Sequence, residues 1–317
     1  MDIRTRMDDE HLAVFDMLPE GLLDLSDIPT ARAGLDALAE AMPVPELPDT
    51  VTLEDHTVAG FDGHEVMVRT YVPDARHDSS PALYWVHGGG MVLGEVAMDD
   101  DKCADIAQEL NVVVASVDYR LAPEHPYPAP MEDCYSGLTW FFAQAEAMGL
   151  DPSRIAIGGG SAGGGLAAGL ALLARDRGEV APCFQLLTFP MLDDRNITPS
   201  SYAIEDTRVW NRDANLAGWN AYLSGGAGGP DVPIYAAPAR ATDLAGLPPA
   251  IITVGDLDMF VDEDIAYAQA LLHAGVPTEL HVYPGAFHGS SVFVPDSDTS
   301  QRWKRDELAA LGRALGV

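Results

Sequence analysis

The stretch RIAIGGGSAGGGLAAGLALL, residues 154–173, sets six glycines, one serine and one alanine into eight consecutive positions behind a short β-branched run. Two chemistries fit the same letters. Gly158, Gly160 and Gly163 satisfy the G-x-G-x-x-G spacing of a dinucleotide-binding turn, whereas Gly159, Ser161 and Gly163 satisfy the G-x-S-x-G spacing of a nucleophile elbow. In a chain with 30 glycines either match arises readily by chance. The rest of the sequence has to choose.

Composition narrows the choice of partners. At 317 residues the chain accommodates one large α/β domain or two small ones, and 47% apolar with 21% charged residues reads as soluble and globular. Acidic residues interrupt MDIRTRMDDEHLAVFDMLPE where a secretory signal needs an apolar core, and the run GLAAGLALLA falls far short of the ~20 residues of a membrane span. A cytoplasmic, soluble protein is therefore expected. A formal charge of −31 repels phosphate backbones and anionic lipid, so neither nucleic acid nor a membrane surface is expected as a partner. Lysine occurs only at Lys102 and Lys304, a pattern that salt adaptation and plain solubility explain equally well. Cys103, Cys134 and Cys183 are odd in number and widely spaced. They predict buried apolar residues, with no disulfide and no metal site.

Periodicity predicts an α/β fold. Helical spacing of Leu35, Leu38 and Met42 marks the first ~50 residues, and Val66, Val68, Thr70 and Val72 alternate as in a half-buried strand. ALYWV, helix DDDKCADIAQEL and strand VVVASVDY (112–119) form a βαβ unit. The alternation continues through helix MEDCYSGLTWFFAQAEAMG, strand RIAIG, a helix with Leu166, Leu170 and Leu173 on one face, and strand CFQLLTF. It breaks over 191–237 and resumes with AIITVG, DEDIAYAQALLHAG, TELHVYP and a closing helix from about Thr299. Strands separated by helices imply a mostly parallel sheet covered on both faces. The expected division is an N-terminal part of a helical cap (1–50), a catalytic core (51–190 and 238–317) and an inserted cap segment (191–237).

The nucleotide template needs an acid at the end of the next strand, but Asp176 and Glu179 both precede CFQLLTF. The nucleophile template needs a second set of oxyanion-binding N–H groups, then an acid and a histidine in the order Ser, Asp, His. HGGG (87–90), Asp258 after AIITVG and His288 after TELHVYP supply all three, each just past the C-terminal end of a strand.

HGGG at 87–90, DYRLAPEHPYPAP at 118–130, GGSAGGG at 159–165, DMFVDE at 258–263 and FHGS at 287–290 together resemble the hormone-sensitive-lipase-like (bacterial family IV) carboxylesterases of the α/β-hydrolase fold. The resemblance covers nearly the whole chain. It implies a helical cap, hydrolysis of short- to medium-chain carboxylic esters through an acyl-enzyme, and no cofactor. It also places the acid at Asp258, because the family pattern Asp-x-x-x-Asp-Glu fits Asp258, Asp262 and Glu263. Departures are Gly160, where many members carry Asp, Met259-Phe260 in place of Pro-Leu, and Met91, where an aromatic residue often follows HGGG.

The expected roles follow. Ser161 is the nucleophile and His288 the base, with Asp258 orienting the ring. The N–H groups of Gly88, Gly89 and Ala162 form the oxyanion hole. His87 is read as bracing its loop and His125 as holding PEHPYP. His11, His56, His64, His77, His273 and His281 are read as structural or surface residues, and Asp256 and Asp262 as loop or capping residues. An amide, lactone or carbamate hydrolase uses the same triad. A non-catalytic ligand-binding relative, of the kind plant hormone receptors of this fold represent, is the alternative from another class. The expected partner is a small-molecule ester, with a homodimer through the last strand and helix.

Overall fold

The apolar runs assemble into one eight-stranded sheet in a computed structural model that describes residues 2–41, 47–76 and 79–317. Strands β1 (Val51–Ala59), β2 (Glu65–Pro73), β3 (Ser80–Val86), β4 (Val113–Asp118), β5 (Leu150–Gly160), β6 (Gln185–Thr188), β7 (Ala250–Leu257) and β8 (Thr278–Phe287) lie in the spatial order β1-β2-β4-β3-β5-β6-β7-β8. Only β2 runs against its neighbours; the pairs from β4 to β8 are parallel. The helices are α1 (Asp9–Phe15), α2 (Ile28–Ala41), α3 (Asp100–Leu110), α4 (Ala129–Ala143), α5 (Ala162–Arg177), α6 (Pro199–Ala203), α7 (Arg212–Tyr222), α8 (Val261–His273), α9 (Ser290–Phe293) and α10 (Asp298–Leu315).

Both sheet faces are buried, which is why the central strands read as unbroken apolar runs. In β3, Tyr84 and Val86 join the core shared with α4, α5 and α8, while Leu83 and Trp85 join the core under α3 and α10. β1, a long edge strand with most side chains exposed, carries too weak an alternation to stand out in the sequence. Several boundaries move. β5 begins at Leu150, four residues before the expected start, and α4 opens at Ala129 with Pro130 in its first turn, where a missing N–H costs nothing. Cys103 and Cys134 are buried as expected, but Cys183 is only half-buried. Met42, His77 and the side chain of Leu38 lie outside the described residues.

The N-terminal segment and residues 191–237 meet over the C-terminal ends of the strands. Gly21 donates its N–H to Thr207 Oγ1 at 3.1 Å, and Arg208 pairs with Glu20. Arg32 of α2 donates to the carbonyls of Val92 and Ala122, both at 2.8 Å, and to the Glu124 carboxylate. One guanidinium thus ties the first 50 residues to the loop following HGGG. Arg6 pairs with Asp256, and Phe15 packs edge-on against Phe287, the residue before His288.

Candidate active site

Ser161 joins β5 to α5 with φ 56° and ψ −121°, a conformation that costs a non-glycine residue about 1–3 kcal/mol. It stands at the N-cap of α5, yet its side chain makes no capping bond. Its Oγ lies instead 3.0 Å from His288 Nε2. The backbone is fixed on both sides: Ser161 N–H donates to the Thr188 carbonyl (2.9 Å), and the Ser161 carbonyl accepts from Gly165 and Met191. The turn needs glycine at 163, where a Cβ would stand 2.0 Å from the Val86 carbonyl and 2.4 Å from that of His87. Gly160 is different. A Cβ there meets only Phe189 and Trp85 ring atoms at 3.8 Å.

His288 follows β8 and Asp258 follows β7. His288 Nδ1–H donates to Asp258 Oδ2 at 2.7 Å, which leaves Nε2 to accept the Ser161 proton. Asp258 Oδ1 accepts the Phe260 N–H at 2.9 Å, so both oxygens of this buried carboxylate are engaged. The imidazole is walled by Phe189 (ring centroids 4.8 Å apart) and Phe260 (5.2 Å), both edge-on, and by Trp210 at 6.4 Å. Asp256 and Asp262 lie elsewhere: Asp256 accepts the Gly285 N–H and Asp262 the Ser200 N–H, each at 2.7 Å.

The HGGG loop presses on the elbow. A Cβ at Gly88 would stand 3.0 Å from the Gly160 carbonyl and 3.5 Å from Ser161 Cβ. Ala162 opens α5, so its N–H has no partner within the helix and lies at the positive end of the helix dipole. His87 is fully buried, stacks on Tyr119 at 4.2 Å and donates Nδ1–H to the Gly88 carbonyl at 2.8 Å. Burial pushes its pKa down, so it braces the loop as a neutral ring. The Tyr119 hydroxyl donates to the His87 carbonyl. Next to it, Arg120 forms a two-pronged pair with the fully buried Asp133 of α4. Arg120 and Arg32 hold the DYRLAPEHPYP segment, whereas the His125 side chain is exposed and sits 6.3 Å from that of His64.

Sequence reasoning missed the aromatic wall of Phe189, Phe260 and Trp210. It also missed the part of Glu263, whose buried carboxylate accepts the N–H groups of Leu192 and Asp193. Glu263 thereby pins the chain leaving β6. Only the Asp-Glu at the end of the DMFVDE pattern pointed toward it. Beside it Asp264 is fully buried, with neither oxygen meeting a donor among the described residues; burial raises the pKa of both acids.

A family model for the alpha/beta hydrolase fold matches residues 83–292. The carboxylesterase NlhH of Mycobacterium tuberculosis is 37% identical over 309 residues, spanning 95% of this chain and 94% of that protein. The ethyl acetate hydrolase of Pseudomonas putida is 34% identical over 256 residues, 76% of each chain. Among solved structures, a bacterial heroin esterase superposes with a TM-score of 0.94 at 46% identity and 98% coverage of both chains. With the sheet order and the Ser161–His288 contact, these likenesses place the chain in the α/β-hydrolase fold family, among its carboxylesterases of hormone-sensitive-lipase type.

Proposed function

We propose that the chain is a serine carboxylesterase acting on short- to medium-chain esters through an acyl-enzyme on Ser161. The observation that carries this reading is the unbroken relay Ser161 Oγ, His288 Nε2, His288 Nδ1, Asp258 Oδ2, with steps of 3.0 and 2.7 Å. As Ser161 Oγ attacks the ester carbonyl carbon, His288 takes its proton and Asp258 stabilises the imidazolium. The N–H groups of Gly88, Gly89 and Ala162 receive the oxyanion, each such donor contributing about 3 kcal/mol to the transition state. His288 returns the proton to the leaving alcohol, and water attacking the acyl carbon repeats the cycle to free the acid.

The small size of the acid fits the surroundings: Phe189, Phe260 and Trp210 crowd His288, and Ser161 is only 7% exposed. In this reading residues 1–50 and 191–237 form a cap, supported by the contacts of Arg32, Gly21 and Arg208. The enzyme is read as working free in the cytoplasm on a small-molecule ester, away from nucleic acid and lipid; no described helix is long and apolar enough to cross a membrane. The open edge of β8 beside α10 is the candidate dimer surface, which light scattering on the purified protein tests. Turnover of p-nitrophenyl acetate by the native protein and its loss in Ser161→Ala test the chemistry. Equal turnover by the two would defeat it.

A further inference from the structure

We propose that Glu307, on α10 behind the sheet, is a positioning residue for the Ser161–His288 pair, governing turnover without touching substrate. The proposal rests on the hydrolase reading above. Glu307 is almost wholly buried, at 7% exposure, yet fully engaged. Its Oε1 accepts from Thr188 Oγ1 (2.6 Å), Thr253 Oγ1 (2.7 Å) and Trp303 Nε1 (2.9 Å), and its Oε2 lies 3.3 Å from Lys102 Nζ. That lysine, one of two in the chain, also sits 4.5 Å over the Trp85 ring. Burial alone would push the carboxyl pKa up, but Lys102 and the three donors outweigh it and hold the group below its ordinary value, as an anion.

The anion sits where it has leverage. Thr188 ends β6 and is paired with Gly160 on one side and Thr253 on the other. The Thr188 carbonyl receives the Ser161 N–H, and the Thr253 carbonyl receives the N–H of Phe189 at 2.6 Å. Phe189, itself at φ 36°, turns its ring against His288 and lies 5.7 Å from Trp303. One carboxylate therefore fastens the peptide that holds the nucleophile in its strained turn and, through Trp303 and Phe189, the ring that bears on the base. A packing role alone would be served better by an apolar residue, because a buried charge carries a large desolvation cost. Three donors on one oxygen call for an anion; the single carbonyl oxygen of glutamine, with its amide hydrogens turned toward Lys102, cannot replace it.

The test uses the full chain and reads two rates well below each variant's unfolding temperature: hydrolysis of p-nitrophenyl acetate and labelling of Ser161 by a fluorophosphonate. Glu307→Gln is expected to lower kcat and the labelling rate together by about 10- to 100-fold, the scale of a sub-ångström misplacement of reacting groups, with KM within about twofold. Thr188→Val is expected to reproduce the loss and Thr188→Ser, which keeps the hydroxyl, to restore the rate. A Glu307→Gln enzyme of native kcat that merely melts earlier overturns the proposal. So does a Thr188→Ser enzyme as slow as Thr188→Val, a comparison that decides the matter even if Glu307→Gln does not fold. A native protein that is labelled but does not cleave the ester defeats the esterase reading alone, since the labelling rates still judge Glu307. A native protein inert to both overturns both.

Discussion

The indole of Trp210 occupies the space a side chain at Gly90 would need: a Cβ there would stand 2.0 Å from Trp210 Cη2, at a φ of 62°. The ring is held in place, because Trp210 Nε1 donates to Asn215 Oδ1 (3.0 Å) and Asn215 in turn donates to Asn196 Oδ1 (3.2 Å), all three residues being buried. It therefore roofs the space between the HGGG loop and His288. Trp210→Ala is expected to raise the ratio of kcat/KM for a hexanoate over an acetate ester by at least about tenfold, the scale of one to two methylenes in an apolar pocket. Gly90→Ala should displace the ring and impair both esters, and adding Trp210→Ala should recover part of that loss. Strict additivity in this double-mutant cycle would break the link between the two residues.

Asp258→Asn preserves shape and the bond from Phe260 but removes the anion that orients the His288 ring. A fall in kcat of about 10⁴-fold with little change in KM is expected, as for an orienting carboxylate in such a relay. Initial-rate kinetics with the p-nitrophenyl ester check it. Asp256→Asn, which loosens a loop contact only, should leave kcat within about tenfold of native.

The glycines of the elbow should differ sharply under alanine substitution. Gly163→Ala drives a methyl group into two backbone carbonyls and is expected to cost about 1–3 kcal/mol, with a loss of activity as the HGGG loop is pushed away. Gly160→Ala meets only ordinary contacts and should be neutral or slightly stabilising, by up to about 1 kcal/mol through the unfolded state. Thermal unfolding of the two variants separates these outcomes.

Asp264 sets a pH dependence of stability. Burial raises its pKa in the folded chain above the ordinary 3.8, so below that value both folded and unfolded chains hold the proton. Above it the unfolded chain releases the proton first, and the contribution of Asp264 to stability declines as pH rises until the folded group also ionises. Asp264→Asn abolishes that decline. The variant should match the native protein near pH 4 and exceed it in stability at pH 8, because only the native chain must hold a proton on that buried carboxyl. Denaturant unfolding at the two pH values is the check; a constant difference across them would refute the assignment.

The relay itself was legible because each member follows the end of a parallel strand, where local motifs and chain order coincide with position in space. Ser161, Asp258 and His288 come from three separate stretches, and the sheet order brings them together. The nucleotide template fails for a local reason: β6 ends at Thr188 without an acid. What stayed hidden depends on contacts across the sheet. Glu307 sits in RWKRDELAALGRAL, a stretch whose charges read as a solvated helix face, and only the packing of α10 under β6 and β7 turns one of them inward. Trp210 lies in a region whose periodicity breaks, so no pattern could aim it at Gly90. The edge strand β1 was obscured because few of its side chains are buried.

Of the five tryptophans, only Trp210 makes a ring contact with His288 among the described residues, with centroids 6.4 Å apart. Its emission is expected to change when an acyl group on Ser161 alters the surroundings of the neighbouring imidazole. A Trp210→Phe protein lacking that signal would identify the emitter. Such a change would let the native chain report acylation in stopped flow with colourless esters and no attached dye.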